Sequence, residues 1–281
     1  MSGNGIISIL LIICNVLVSM RGFKDRSFYD RYVFEVEKIT LYKDYKRIIT
    51  SGFLHINWMH LIFNMVSLLF FSGNIEAYLG PVQFLIIYFA SLAAGNLFSL
   101  LIHKKEGYYS AVGATGAVCG IIFASIALFP QMRIGLLFLP ISFPAWIYGL
   151  AFVLYSIYAV KSRRDNVGHD AHLGGALTGM IIAILMEPSA IVENYLPILA
   201  ISLPCIIFIY IIITRPHTLM IDDYFFKKHK RNTTIDQRYN IQKNDRQKEV
   251  DMILEKIHKK GMRSLSAREK QILDEYSKTV R

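Results

Sequence analysis

The stretch Gly168-His169-Asp170-Ala171-His172-Leu173-Gly174-Gly175-Ala176-Leu177-Thr178-Gly179 sets two imidazoles and a carboxylate at the head of an apolar run that continues to Met186. Ionisable groups are expensive inside a bilayer, so they mark function there by default. Gly175 and Gly179 form a GxxxG stripe along which a neighbouring helix can approach closely, and His172, three residues earlier, shares that stripe. Tight packing of the stripe carries His172 against the neighbour. His169, Asp170 and His172 lack the HxxxH spacing with an intervening Glu, and no fourth ligand presents itself, so no metal is assigned.

Outward from this run the same apolar character recurs. Stretches free of Asp, Glu, Lys and Arg cover Met1 to Met20, Ile48 to Ile75, Ala77 to His103, Gly107 to Met132, Ile134 to Val160, Ala171 to Met186 and Asn194 to Thr214. A bilayer helix needs about 20 such residues, which makes these seven candidate spans. The chain is 53% hydrophobic and only 19% charged over 281 residues, too apolar for an ordinary soluble protein and too ordered in pattern for a disordered one. The fold class expected is therefore all-α, a polytopic membrane protein. The first run lacks a basic leading region and a small-x-small cleavage site, and reads as a retained helix. Pro140 and Pro144 are expected to kink the fifth span. The stretch from Arg21 to Arg47, rich in aromatic residues, reads as an interfacial loop. Cys14, Cys119 and Cys205 all lie in apolar runs and read as packing residues, outside any disulfide framework.

Net charge is +10, yet 17 of the 31 Lys and Arg follow residue 214, and no aromatic-basic pattern accompanies them, so no nucleic-acid partner is implied. The expected organisation is a membrane core over residues 1–190, an additional span over 191–214, a basic linker over 215–248 and a helical hairpin tail over 249–281. In the tail Val250, Ile253, Leu254 and Ile257 recur at helical spacing, Gly261 stops the first helix, and Ser266 with Glu269 forms a capping box for the second.

Two more clusters carry polar chemistry within apolar runs. His60 and Asn64 stand four apart, on one helix face, with His55 just upstream. Gly113-Ala114-Thr115-Gly116 sets one hydroxyl among small residues at a helix start, where free N–H groups can stabilise an oxyanion; a small-residue helix contact is the plainer origin of such a string.

Taken together these residues resemble the rhomboid intramembrane serine proteases. Arg47 to His55, then His60 and Asn64, are similar to the end of the family's first loop and its second helix, and Gly73, Glu76 and Gly80 to the turn that follows. Gly113 to Gly116 stands where the family carries Gly-x-Ser-Gly, and His172 with Gly175 and Gly179 matches the histidine helix. The resemblance spans about residues 1 to 190. It implies a six-helix core, here with a seventh span, and a hydroxyl–histidine dyad that cleaves transmembrane protein substrates within the lipid bilayer, with no cofactor. It further implies Thr115 as nucleophile, His172 as general base, and His60 and Asn64 as oxyanion donors. Gly113, Gly116, Gly175 and Gly179 then serve substrate binding or packing, while His55, Arg47 and Glu76 are structural. The tail is similar to an appendage of some bacterial members, and a bacterial inner (plasma) membrane is the expected location.

Three positions depart from that pattern. Thr115 replaces Ser, Cys119 stands where the family often has an aromatic ring packed on the histidine, and Lys46 replaces a common Trp. The methyl of Thr115 crowds its hydroxyl, and a small Cys119 leaves His172 more loosely positioned. A catalytically silent relative that binds transmembrane clients is the alternative these departures raise. A transporter reading would need carboxylates at mid-membrane, which the spans hardly offer. Finally, 30 of the 31 basic residues fall in the loops and tail on the side of Thr115 and His172. The positive-inside rule turns that side towards the cytosol, opposite to what the resemblance implies.

Overall fold

The computed structural model describes residues 5–135, 142–162 and 167–214, together with tail positions 253, 256, 257, 265, 266, 269, 272 and 273. The linker expected over 215–248, Pro140, and the Gly261 stop lie outside the described residues. The chain divides into two compact units, Met1–Gly107 with Ala111–Asn232, and Tyr108–Ser110 with Thr233–Arg281.

The first unit is helical. Its elements are α1 (Ile6–Lys24), α2 (Arg26–Tyr32), α3 (Val36–Thr40), α4 (Arg47–Thr50), α5 (Trp58–Leu79), α6 (Pro81–His103), α7 (Thr115–Leu128), α8 (Ala145–Ser162), α9 (His169–Met186), α10 (Ser189–Glu193) and α11 (Tyr195–Thr214). Among the described residues six helices, α1, α5, α6, α8, α9 and α11, are long and apolar enough to cross a membrane. The seventh, α7, has 14 residues, and every one from Gly116 to Ala127 is buried. Wrapped on all sides by protein, it has no lipid-facing stripe.

Glycine sets the packing of this centre. A Cβ on Gly175 would run into the backbone of Gly116, and one on Gly179 into the backbone of Gly120. Rising numbers meet rising numbers, so α7 and α9 run parallel in close backbone contact, as the GxxxG stripe predicts. On its other side α9 meets α6, where a Cβ on Gly174 would lie 3.1 Å from the Cα of Gly95.

Several expectations are corrected. The fourth apolar run is longer than its helix, because α7 begins only at Thr115 and Ser110–Ala111 is a short strand; absence of charge marks burial as well as helix. The fifth run opens with a hairpin in which Arg133–Gly135 pairs antiparallel with Ser142–Pro144. Pro144 therefore ends a strand just before α8 instead of kinking it. Among the described residues a proline does stand in a helix interior at Pro204, in α11. The stretch from Arg21 to Arg47 is only partly loop, since α1 continues to Lys24 and α2 and α3 follow.

Arg47 and Glu76 tie these pieces together. Arg47, buried, donates through Nη1 to the carbonyls of Asp30 (2.9 Å) and Val33 (2.7 Å) and through Nε to Asp44 (2.9 Å), fixing the segment before α5. The Glu76 carboxylate accepts from the backbone N–H of Ile7 and Ser8, each at 3.0 Å, and so binds the positive end of α1 to α5. Gly80, at φ 96°, makes the turn into Pro81 at the start of α6, a backbone conformation that suits glycine alone.

In the second unit Glu269 N–H donates to Ser266 Oγ (3.3 Å) and Ser266 N–H donates to Glu269 Oε2 (2.7 Å), the two bonds of a capping box. Lys256 Nζ adds an ion pair to Glu269 at 2.8 Å. These bonds hold the Glu269 carboxyl well below its usual range.

Candidate active site

Thr115 is the first residue of α7, so its N–H belongs to the donors that a helix start leaves free. The backbone before it is held in place. Gly113 N–H donates to the Ser51 carbonyl at 3.0 Å, and Ala114 N–H reaches His55 Nε2 at 3.5 Å. Gly113 has φ 130°, and a Cβ there would lie 2.6 Å from His60 Cε1, so glycine is required for both conformation and space.

His55 works from behind this turn. Its Nε2 accepts from Ala114, which leaves the proton on Nδ1 to donate to Ser19 Oγ (2.8 Å), whose own hydroxyl donates to the Phe53 carbonyl (2.9 Å). Burial, with the His60 ring beside it as the lesser cause, pushes its imidazole down to about 3. It is a neutral strut between α1 and the start of α7.

The side chain of Asn57 accepts from His60 N–H at 2.9 Å and caps α5, which places His60 in the first turn of that helix. His60 Nε2 is 3.0 Å from Thr115 Oγ1. The hydroxyl expected to face His172 thus makes its hydrogen bond to the histidine expected as an oxyanion donor. The direction of a threonine hydroxyl depends on which staggered arrangement the side chain takes, because the methyl and the hydroxyl turn together. Asn64 is buried on the next turn, and its amide donates to the His60 carbonyl at 3.0 Å.

His172 lies one turn into α9. Gly116, the neighbour of Thr115, would put a Cβ 3.4 Å from the Ala171 carbonyl, and Gly175 packs on the same Gly116, so Thr115 and His172 occupy adjacent first turns at one end of the bundle. Asp170 turns the other way: its Oδ2 pairs with His103 Nε2 of α6 at 3.3 Å, and His103 Nδ1 pairs with Glu106 at 3.0 Å.

No residue of α8 stands out as functional in the sequence, yet α8 supplies the ring stacked on His172. Phe152 stacks on the His172 imidazole at 6.1 Å between centroids and 26° between planes. His169 meets His172 edge to face at 5.4 Å, and Tyr155 meets His169 in the same manner at 5.3 Å. Tyr148 lies 6.1 Å from Phe152. The signal was present as Tyr148, Phe152 and Tyr155, aromatic residues spaced four and three apart on one helix face.

Comparison with known proteins agrees with this geometry. A family model described as the Rhomboid domain matches residues 42–189, and one described as a family of unknown function matches residues 233–279. Rhomboid protein 1, mitochondrial, of Saccharomyces cerevisiae is 34% identical over 148 residues, covering 50% of this chain and 43% of that protein. RHOMBOID-like protein 12, mitochondrial, of Arabidopsis thaliana is 32% identical, covering 48% of this chain and 44% of its own length. The human presenilin-associated rhomboid-like protein, mitochondrial, is 30% identical, covering 47% and 36%. The chain spans less than half the length of these curated relatives. Their mitochondrial names overturn the expected bacterial inner membrane. Hydropathy reports the thickness of a bilayer and is blind to which membrane supplies it.

Proposed function

The chain belongs to the rhomboid family, and from that premise we propose that it is an intramembrane endopeptidase that hydrolyses peptide bonds in or near transmembrane segments of membrane protein substrates. The observation that carries this reading is the Thr115 hydroxyl bonded to His60, with His172 on the adjacent first turn of α9. A hydroxyl at a helix start, beside imidazoles and free N–H groups, is what acyl transfer needs. The mitochondrial names of the relatives support a mitochondrial membrane as its setting.

In this reading the Thr115 hydroxyl rotates from His60 towards His172, which takes its proton as oxygen attacks the scissile carbonyl. The N–H of Thr115, His60 Nε2–H and the Asn64 amide receive the developing negative charge. His172 returns the proton to the leaving amine, and water, activated by the same imidazole, releases the acyl group from Thr115.

A second reading is favoured by one distance. The Thr115 hydroxyl bonds to His60 at 3.0 Å, and turning it away swings the methyl with it into another slot, which suits a relative that binds transmembrane clients without cutting them. Cleavage of a fluorescent transmembrane substrate by the purified chain in liposomes separates the two. The peptidase reading expects turnover that falls by about 1,000-fold or more in Thr115→Ala and in His172→Ala, and rises about tenfold or more in Thr115→Ser. A silent parent beside an active Thr115→Ser overturns it in favour of the binding reading.

A further inference from the structure

We propose that Phe152 is the positioning residue for His172, so that the general base is oriented from α8 and not from the helix that carries the nucleophile. The catalytic consequence rests on the peptidase reading above; the orientation itself rests on ring geometry. The terminal torsion of a histidine is broad and needs its neighbours to select one setting. Here one face of His172 lies on Phe152, offset and 26° from parallel, while His169 meets the imidazole at 70°. Two contacts at such different angles fix both the tilt and the rotation of the ring.

Phe152 is held in turn. Phe123 of α7 meets it at 5.8 Å and 58°, and Tyr148 lies one turn earlier on its own helix. Cys119, small and buried on α7, has no ring with which to perform this task. Gly149 lets α8 come close: a Cβ there would lie 2.8 Å from Ile126 Cδ1 of α7 and 3.0 Å from Ile201 Cδ1 of α11. α11 thereby braces α8, and through Phe152 it bears on the setting of His172.

The test uses the full chain in detergent micelles, labelled with 13C at histidine Cε1, and the His172 signal is assigned by its loss in His172→Gln. Loss of the ring in Phe152→Leu is expected to move the His172 Hε1 signal, and to lower kcat for the model substrate about tenfold with KM within about twofold. Phe152→Tyr, which keeps the ring, is expected to restore both. Where Phe152→Leu does not fold, Phe152→Met, unringed and flexible, is read in the same way. The proposal is overturned if the unringed variant leaves the His172 signal at its parental position, or if Phe152→Tyr behaves as the unringed variant does. Kinetics are run with Thr115 and in a Thr115→Ser background. If neither cuts, the peptidase reading fails while the His172 signal still decides the orientation.

Discussion

The two seams that meet at the site are built on opposite principles. Between α7 and α9, Gly116 and Gly120 face Gly175 and Gly179, and backbone lies on backbone with no side chain between. Between α8 and α9, Phe152 and Tyr155 reach across to His172 and His169, and the helices meet through rings. The first seam fixes where Thr115 and His172 stand, because peptide backbones cannot give. The second fixes how the imidazole is turned, through contacts that a small movement of α8 changes.

Placing the same methyl group against backbone on the first seam and against side chains on α8 is the sharpest way to break this contrast. Gly175→Ala sets a Cβ against the backbone of Gly116, so the helices must part, and a loss of about 3 kcal/mol or more is expected in reversible unfolding in mixed micelles. A stable Gly175→Ala protein would show that the first seam is softer than its geometry. The strut beneath that seam gives the next effect. His55 is neutral in the folded protein with its pKa pushed down to about 3, against an ordinary value of about 6.5 when unfolded. Below pH 6.5 the unfolded chain therefore binds the extra proton, so stability present above that pH is lost on acidification, by about 2 kcal/mol at pH 5. A His55→Gln variant should lose that part of the pH slope, and an unchanged slope would remove His55 from the account. Smallest is Gly149→Ala on the α8 side. Its Cβ meets only the tips of Ile126 and Ile201, 2.8 and 3.0 Å away, which can swing aside. About 1 kcal/mol or less is expected there, and a loss equal to that of Gly175→Ala would erase the contrast.

How much of this the sequence carries differs from one seam to the other. The glycine seam is legible, because GxxxG has a single physical meaning in an apolar run and its period names the partners' spacing. Six of the seven apolar runs likewise lead to the membrane helices, and Arg47 and Glu76 were singled out before their backbone partners were known. The ring seam is not legible, because Tyr148, Phe152 and Tyr155 look like any aromatic stripe facing lipid until a partner is present. Nor does the direction of the Thr115 hydroxyl follow from its position, since it depends on which staggered slot the methyl takes. The misreading of Pro144 has a similar cause. Uncharged residues fill a hairpin at a bundle's edge as readily as a helix, and only backbone pairing tells them apart.

The length of α7 has one further consequence. Fourteen residues rise about 21 Å, roughly 9 Å less than the hydrocarbon layer of a typical bilayer. Thr115, at its start, is therefore held at a depth measured from the far end of the helix, while the near surface of the bilayer is free to lie higher or lower. Lipid chain length then acts as a dial on the depth of Thr115. In the peptidase reading, longer acyl chains lengthen the path that water must travel to an acyl group on Thr115, and shorter ones bring the hydroxyl towards the headgroups.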